Sequence, residues 1–587
     1  FRRVLFRSSS QPSVRTALAG LAAERLVQFV PYRGARVSAL SIAEIEDLQA
    51  LRGALESEAV RLLHERHGAR WPDTVLAPIE ASIATLEAAE HGGDWLTITR
   101  AHAAVHTALV AASSSARICE AHEGLISHAK ALQALHFPST LDDIAHGRQR
   151  LAFEELFEML LAAEMNKREN MKLEGWHIPF DQPTVKAFVD SLPFPLTNAQ
   201  RRAAWQILQD FEKAIPMNRL LQGDVGAGKT LVAFLALLVA VEAGGQGVLM
   251  APTEILARQH FRALEPLARL AGIRLEVLTG RDKGDARANI LTDLAEGRID
   301  ILVGTHAVIQ KTVEFHDLRL AIIDEQHRFG VNQRMELGTK GAHLPPDMLV
   351  MTATPIPRSL ALSQFGDMDL SVLDEKPAGR QPIRTTVIAD TRMAEVVEHL
   401  DRALAGGARA YWVCPLVEES EAIDLTAAEA RFQELRARFG DEVRLVHGQM
   451  PADQRDAAMA DFAAGRARIL VATTVIEVGV DVPEATIMVI ERAESFGLAQ
   501  LHQLRGRVGR GTGASSCVLM YHEPLSETGR RRLSILRETE DGFRIAQEDL
   551  EMRGAGDVIG TAQSGLPRFR IADLERQAGL MAVARKD

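Results

Sequence analysis

The residues GDVGAGKT, at positions 223–230, constrain the fold of this chain more than any other stretch. They fit the pattern G-x-x-x-x-G-K-[ST], follow the apolar run RLLQG and precede an apolar run of helical length. Glycines let a backbone wrap around an anion, and successive N–H groups at a helix N-terminus cradle phosphate oxygens. A strand, a glycine-rich turn and a helix in this order predict a nucleotide phosphate site. The alternative is a glycine-rich turn without chemistry.

Five residues of this stretch are candidate nucleotide ligands. Gly223, Gly226 and Gly228 would shape the backbone cradle. Lys229 would reach the β- and γ-phosphates, and Thr230 would hold Mg²⁺ through its hydroxyl. The predicted cofactors are therefore ATP and Mg²⁺.

Two adjacent acids, Asp324 and Glu325, end the apolar run LRLAII at 318–323. Acids at the end of a buried strand are costly unless a cation faces them. We predict that Asp324 completes the Mg²⁺ shell and that Glu325 is the general base for the attacking water. Without the phosphate motif, capping of a following helix would be the better explanation of both acids.

Short apolar runs alternate with helix-compatible segments after about residue 195, and they form two series. The first series is 219–223, 247–253, 274–280, 300–306, 320–326 and 348–355; the second is 410–417, 443–448, 467–474, 486–493 and 516–521. Apolar strands separated by helices predict parallel sheets covered on both faces. The predicted fold class is therefore α/β, with two RecA-like parallel-sheet lobes, a preceding all-α segment and a following helical hairpin.

The stretch QLRGRVGR, at 503–510, supplies arginines from the second lobe. Arg507 and Arg510 suit arginine fingers, because a guanidinium stabilises the oxygens of a transferring phosphoryl group. A solvated basic helix is the alternative. ATP held between two lobes would draw them together, and hydrolysis would release them.

The motifs, in their order along the chain, resemble those of superfamily-two helicases, and within that superfamily those of the RecG family of branched-DNA translocases. The matching stretches are 192–200, 220–230, 251–260, 304–310, 324–331, 352–361, 414–421, 470–483, 503–510 and 537–565. The resemblance covers roughly 130–587 and implies an ATP-dependent DNA helicase acting on replication forks and Holliday junctions in DNA repair and recombination. A transcription-repair-coupling-type duplex translocase is an alternative with a similar motor.

The resemblance assigns roles to further residues. Gln200 would recognise adenine, and Gln503 would line the cleft. Gln326 and His327 would couple the ATP state to DNA contact. The residues that would link hydrolysis to lobe movement, or ATP to DNA, are Thr352, Thr354, Glu477, Gly479 and Asp481.

A post-motor hairpin at 531–565 would turn lobe closure into duplex movement. Its matched polar residues are Arg532, Arg553 and Gln563, whereas Ala562 stands where the family has arginine. The alternative is a packing brace on lobe two.

The formal net charge of −11, from 67 basic and 78 acidic residues, does not by itself indicate a nucleic-acid partner. DNA would be held through local contacts to phosphates, independently of base sequence. Three scattered cysteines are typical of a reducing compartment, and no apolar run reaches membrane-spanning length. We expect a monomeric motor in the bacterial cytoplasm, associated with the nucleoid.

Residues 17–63 resemble the end of a GntR-type winged helix, with PYRGARV as the wing strand, and the start of its FCD effector domain. FCD domains often bind metal through helix-borne Asp and His, and His102 and His106 share one helical face. The alternative to metal binding is that His102 and His106 are simply two partly exposed polar residues of an alanine-rich helix. A ligand-responsive regulator fused to a motor is therefore the competing function.

The predicted segments are a foreign or disordered terminus (1–13), a winged-helix remnant (14–40), a truncated FCD-like helical segment (41–128), a helical linker (129–192), lobe one (193–378), lobe two (379–522) and the C-terminal hairpin (523–587). The wedge domain with which RecG proteins begin is not recognisable, so we expect unwinding of forks to be impaired. The abrupt change near residue 130 favours a chimeric reading frame over a purposeful fusion.

Overall fold

The computed structural model describes residues 27–30, 34–37, 42–91, 95–136, 138, 140–325, 336–338, 340, 343–353, 355–356, 368–377, 380–415, 421–473, 482, 484–509, 511, 513–558 and 571–572. The chain divides into two compact units. One comprises Phe1–Leu160 with Pro567–Asp587, and the other comprises Leu161–Leu566.

The first unit is mostly helical. Its elements are the antiparallel pair β1 (Val27–Val30) and β2 (Gly34–Val37), then α1 (Ile42–His67), α2 (Asp73–Glu90), α3 (Trp95–Ala112), α4 (Ala116–His136) and the first part of α5 (Leu141–Asn170). Small and aliphatic side chains such as Ala59, Leu63 and Ala152 form its buried positions. Gly147 lets α5 approach α4 closely, because a Cβ there would lie 2.8 Å from the carbonyl oxygen of Ala131.

Lobe one is a seven-stranded parallel sheet in the order β5-β6-β4-β7-β8-β3-β9. Its strands are β3 (Asn218–Gly223), β4 (Gln246–Met250), β5 (Leu275–Leu278), β6 (Ile301–Gly304), β7 (Leu318–Ile323), β8 (Asp347–Thr352) and β9 (Asp369–Leu373). Its helices are α6 (Gln182–Ser191), α7 (Asn198–Phe211), α8 (Lys229–Glu242), α9 (Glu254–Ala271) and α10 (Gly284–Ala295). Side chains of the sheet and of α8 share one buried core, as expected where helices cover a parallel sheet.

Lobe two is a six-stranded parallel sheet in the order β10-β15-β14-β11-β13-β12. Its strands are β10 (Ile383–Ala389), β11 (Arg409–Val413), β12 (Val443–Val446), β13 (Ile469–Ala472), β14 (Ala485–Ile490) and β15 (Ser515–Tyr521). Its helices are α11 (Met393–Ala405), α12 (Glu421–Phe439), α13 (Ala452–Ala463) and α14 (Leu498–Arg505). Tyr411 and Phe462 are among its largest fully buried side chains.

Two further helices, α15 (Glu527–Glu538) and α16 (Gly542–Val558), follow lobe two. Leu533, Leu536 and Ile545 from this pair join the core of lobe two. The predicted class, two parallel-sheet lobes with helices before and after, is confirmed. In the described ranges no helix combines the length and the apolar character needed to span a bilayer.

Both sheets contain one strand that the sequence pattern did not predict. β9 and β10 lie at the edges of their sheets, beside β3 and β15 respectively. Both strands are incompletely buried, and their polar residues break the apolar run on which the prediction depended.

Candidate active site

The phosphate motif has the local structure that its sequence predicts. β3 ends at Gly223 and α8 begins at Lys229, so residues 224–228 form the turn between them. Gly226 and Gly228 have φ values of 77° and 84°, in the left-handed region that favours glycine. At Gly228 a Cβ would lie 2.2 Å from Nε2 of Gln200, so this position also lacks space for a side chain.

Lys229 is buried, and its ammonium group points into the hollow of the turn. Its Nζ donates hydrogen bonds to the carbonyl oxygens of Gly223, at 2.7 Å, and Asp224, at 3.0 Å. The cation therefore lies where phosphate oxygens would enter the cradle.

Asp324 directly follows β7 and is 8% exposed. Its Oδ2 lies 2.7 Å from Nε2 of His260, in α9. Burial alone would raise the pKa of this carboxyl, but the His260 hydrogen bond and the nearby Lys229 hold it below its usual value. Asp324 is therefore a buried carboxylate close to the phosphate turn.

Glu325, the next residue, has a φ of 51°, which is uncommon for a residue with a side chain. Such a conformation costs on the order of 1–3 kcal/mol and is concentrated at functional sites. The strained backbone thus coincides with the predicted general base.

The end of α14 in lobe two lies against the phosphate turn of lobe one. A Cβ on Gly506 would lie 2.9 Å from Cβ of Val225, so glycine permits this approach. Arg507 is the next residue along the chain and is partly buried. The structure therefore brings Gly506, which directly precedes the predicted finger Arg507, to the phosphate turn.

Two further inter-lobe contacts were not predicted from the sequence. Nη1 of Arg380 donates to the Val225 carbonyl at 2.8 Å, and its Nε donates to the Gly509 carbonyl at 3.1 Å. Nε2 of His502 lies 2.6 Å from Oδ1 of Asp224.

His260 was also missed, although it ends the motif at 251–260 that carries part of the family resemblance. That position in the motif was the only available signal. The role depends on a contact with Asp324, which no local pattern reveals.

Gln200 supports the phosphate turn from α7. Its Nε2 donates to the Ala227 carbonyl at 2.9 Å, and its Oε1 accepts from the Thr197 N–H at 2.9 Å as part of a capping box. Adenine recognition by Gln200 stays a prediction.

Thr352 is buried at the end of β8, and Gln503 is partly buried in α14. Arg532 donates from Nη1 to the carbonyls of Glu494 and Phe496, at 3.1 and 2.9 Å. These two contacts are what a packing brace on lobe two would make. The predicted residues outside the described part are Gln326, His327, Thr354, Glu477, Gly479, Asp481, Arg510 and Gln563, together with the side chain of Arg553.

The predicted histidine pair of the helical unit is adjacent in space. Nε2 of His106 lies 3.4 Å from Nε2 of His102, and its Nδ1 lies 2.9 Å from Oε1 of Glu56. His122 contacts the same glutamate oxygen at 3.2 Å. Across the described residues, no group of three or more His, Cys, Asp or Glu side chains is arranged to hold a metal ion.

Four family profiles match the chain. They are the DEAD/DEAH box helicase at 197–362, the helicase conserved C-terminal domain at 394–512, domain 3 (C-terminal) of the ATP-dependent DNA helicase RecG at 539–587, and the FCD domain at 47–170. The FCD match continues past the predicted boundary at residue 128.

Two parallel-sheet lobes, with a phosphate turn on one and α14 of the other against it, define an ATP-hydrolysing helicase motor. Similar proteins identify the family within this class. The ATP-dependent DNA helicase RecG of Streptococcus pneumoniae is 48% identical over 465 residues, which are 79% of this chain and 69% of that protein. RecG of Escherichia coli K12 is 46% identical over 473 residues, 79% of this chain and 68% of that protein. The chain belongs to the RecG family of ATP-dependent DNA helicases.

A solved structure of RecG bound to a three-way DNA junction superimposes with a TM-score of 0.64 at 42% identity. The match covers 77% of this chain and 59% of the RecG chain in that structure. The present chain thus spans about two thirds of the length of the relatives above and somewhat less of this structure.

Proposed function

We propose that this chain is a Mg²⁺-dependent ATPase that is stimulated by branched DNA and moves along it. The observation that carries the proposal is the juxtaposition of buried Lys229 and Asp324 in lobe one with the end of α14 from lobe two. The RecG relative bound to a three-way junction supports branched DNA as the partner.

The residues at the turn fit an ATP·Mg²⁺ complex. Mg²⁺ prefers oxygen ligands, and Asp324 offers a carboxylate whose pKa is held low, while Thr230 offers a hydroxyl at the start of α8. The ion would neutralise charge on the β- and γ-phosphates. Lys229 would exchange its carbonyl partners for phosphate oxygens, and the backbone N–H groups of the turn would hold the remainder.

Glu325 and the arginines would complete the chemistry. In this proposal Glu325 accepts a proton from the attacking water, and Arg507 and Arg510 stabilise the charge that develops on the transferring phosphoryl group. Since the acids and the arginines belong to different lobes, hydrolysis requires the lobes to close. Product release then lets them separate, which moves one lobe along the DNA.

The test measures ATP hydrolysis by the full chain with forked, duplex and single-stranded DNA, in Mg²⁺ and in excess chelator. We expect forked DNA to stimulate ATP turnover more than duplex or single-stranded DNA does. Excess chelator should abolish turnover. Equal turnover with and without every DNA would refute the motor. Stimulation by plain duplex equal to that by forks would favour the transcription-repair-coupling type of translocase instead.

The FCD match favours a second candidate role for residues 47–170, that of a ligand-responsive segment attached to the motor. The partly buried Glu56, shared by His106 and His122, is the structural feature that such a role would use. A small ligand of this segment would change the DNA-stimulated ATPase of the full chain on addition. A ligand that binds the segment without changing turnover would contradict this role.

A further inference from the structure

One polar contact between the lobes joins the phosphate turn to α14. Nε2 of His502 lies 2.6 Å from Oδ1 of Asp224, and both side chains are largely buried. The motor chemistry proposed above uses neither side chain. Their contact therefore needs its own explanation.

A neighbouring arginine selects the tautomer of His502. Nη2 of Arg505 lies 2.9 Å from Nδ1 of His502, and a guanidinium can only donate. Nδ1 must therefore accept, which leaves the ring proton on Nε2, where it is donated to Asp224. Arg505 is 2% exposed, and its Nη1 donates to the carbonyls of Leu536 and Thr539, so it cannot easily turn away.

Asp224 connects this contact to the proposed phosphate ligand. Its Oδ1 also accepts the Val225 N–H at 2.7 Å, while its carbonyl oxygen accepts from Nζ of Lys229 at 3.0 Å. Burial would raise the pKa of this carboxyl, but the His502 hydrogen bond holds it below its usual value. One residue thus contacts lobe two through its side chain and Lys229 through its main chain.

The N-terminus of α16 covers the pair. A Cβ on Gly542 would lie 2.8 Å from Nε2 of His502 and 3.0 Å from Cγ of Asp224. The two side chains keep only 8% and 14% exposure, so the hydrogen bond is stronger than one fully exposed to solvent.

We propose that His502 is a positioning residue for ATP hydrolysis: as a neutral imidazole oriented by Arg505, it ties the phosphate turn to lobe two through Asp224. Movement of α14 on DNA binding would then reach Lys229 through the Asp224 main chain. The inference rests on the proposed function.

The decisive comparison is His502→Gln against His502→Leu. A glutamine amide offers a donor NH₂ group and an acceptor oxygen in place of the N–H and the acceptor nitrogen of a neutral imidazole. Leucine has similar bulk and offers neither. We expect His502→Leu to lower the ratio of DNA-stimulated to DNA-free turnover about tenfold, as for loss of one buried hydrogen bond. His502→Gln should restore the ratio to within about threefold of wild type.

His502→Lys provides a further check. Lysine can donate to Asp224 but cannot accept from Arg505, so we expect its ratio to resemble that of His502→Leu. A lysine variant as well stimulated as wild type would overturn the neutral, oriented imidazole. If His502→Leu does not fold, the glutamine and lysine variants decide between the two outcomes.

A double-mutant cycle tests whether His502 acts through Asp224. His502→Leu combined with Asp224→Ala should lower the stimulation ratio no further than the more severe single variant does. Additive losses would overturn the link. Lys229→Ala separates the two proposals, because an active Lys229→Ala refutes the ATP site itself. An inactive Lys229→Ala beside a fully stimulated His502→Leu refutes only the role of His502.

Discussion

Buried polar groups are paired differently in the motor and in the N-terminal helices. At and beside the phosphate turn, Lys229 and Asp324 are buried and Asp224 is partly buried, and each has a specific partner within hydrogen-bond distance. In the helices between 42 and 136, Glu56 is instead shared by His106 and His122, among mostly small apolar positions. A chemical site demands fixed residue types at fixed spacing, whereas helix packing accepts many sequences.

Lys229→Ala tests the motor side of this comparison and has the largest expected effect. Loss of the buried ammonium should lower DNA-stimulated ATP turnover by at least about 10³-fold, because phosphate charge is left uncompensated. Lys213→Ala, which removes a half-exposed lysine of the same lobe paired with Asp210, is the matched control and should stay near wild type. Comparable turnover in the two variants would show that the turn is not the ATP site.

His260→Leu tests whether Mg²⁺ binding depends on the hydrogen-bond partner of Asp324 as well as on Asp324 itself. Without the His260 hydrogen bond, Asp324 loses its orientation, and we expect the apparent Mg²⁺ affinity of the ATP complex to fall about 10- to 100-fold. The measurement is a Mg²⁺ titration of a fluorescent ATP analogue bound to the full chain. His260→Gln, which keeps a donor, should lose less; equal losses in both variants would contradict this explanation.

Asp347 probes a buried acid of lobe one away from the turn. Its Oδ1 accepts the Met217 N–H at 2.6 Å, and burial raises its pKa to about 8. The folded chain thus keeps this proton up to about pH 8, whereas an unfolded aspartic acid loses it near about pH 4. The unfolded state binds fewer protons in that interval, so the free energy of unfolding should fall as the pH rises from about 4 to about 8.

Asp347→Asn removes this titration but keeps an acceptor for Met217. At pH 8 we expect the variant to be more stable than wild type by on the order of 1–3 kcal/mol in the free energy of unfolding, and so to melt several degrees higher. Near pH 4 the two melting temperatures should be close. Thermal unfolding at the two pH values measures the difference. A difference that does not change with pH would mean that Asp347 is already ionised in the folded chain.

Glu56→Gln has the smallest expected effect and tests the other side of the comparison. The substitution removes the charge shared by the two histidines, and we expect unfolding of the helical unit to become easier by about 1 kcal/mol or less. ATP turnover should not change. Reduced turnover would show that the helical unit acts on the motor, which would sharpen the case for a ligand-responsive segment.

Much of the motor could be predicted because its signals are local. The strand–turn–helix of 223–230 and the acids after β7 follow from residues a few positions apart. β9 and β10 were missed because edge strands need no continuous apolar run. Two pairings were missed because their partners are far apart in the sequence. Asp324 and His260 are 64 positions apart, and Asp224 and His502 are 278 positions apart.

Arg380, in the segment that connects the two sheets, has a mechanical consequence. One rigid guanidinium bonds a carbonyl of each lobe, at Val225 and Gly509, so both oxygens keep a nearly constant distance from it. Opening the cleft therefore costs the least free energy if the lobes rotate about Arg380 as a hinge. The exposed ion pair of Arg281 with Asp456, which also joins the lobes, adds only about 0–1 kcal/mol against such a swing.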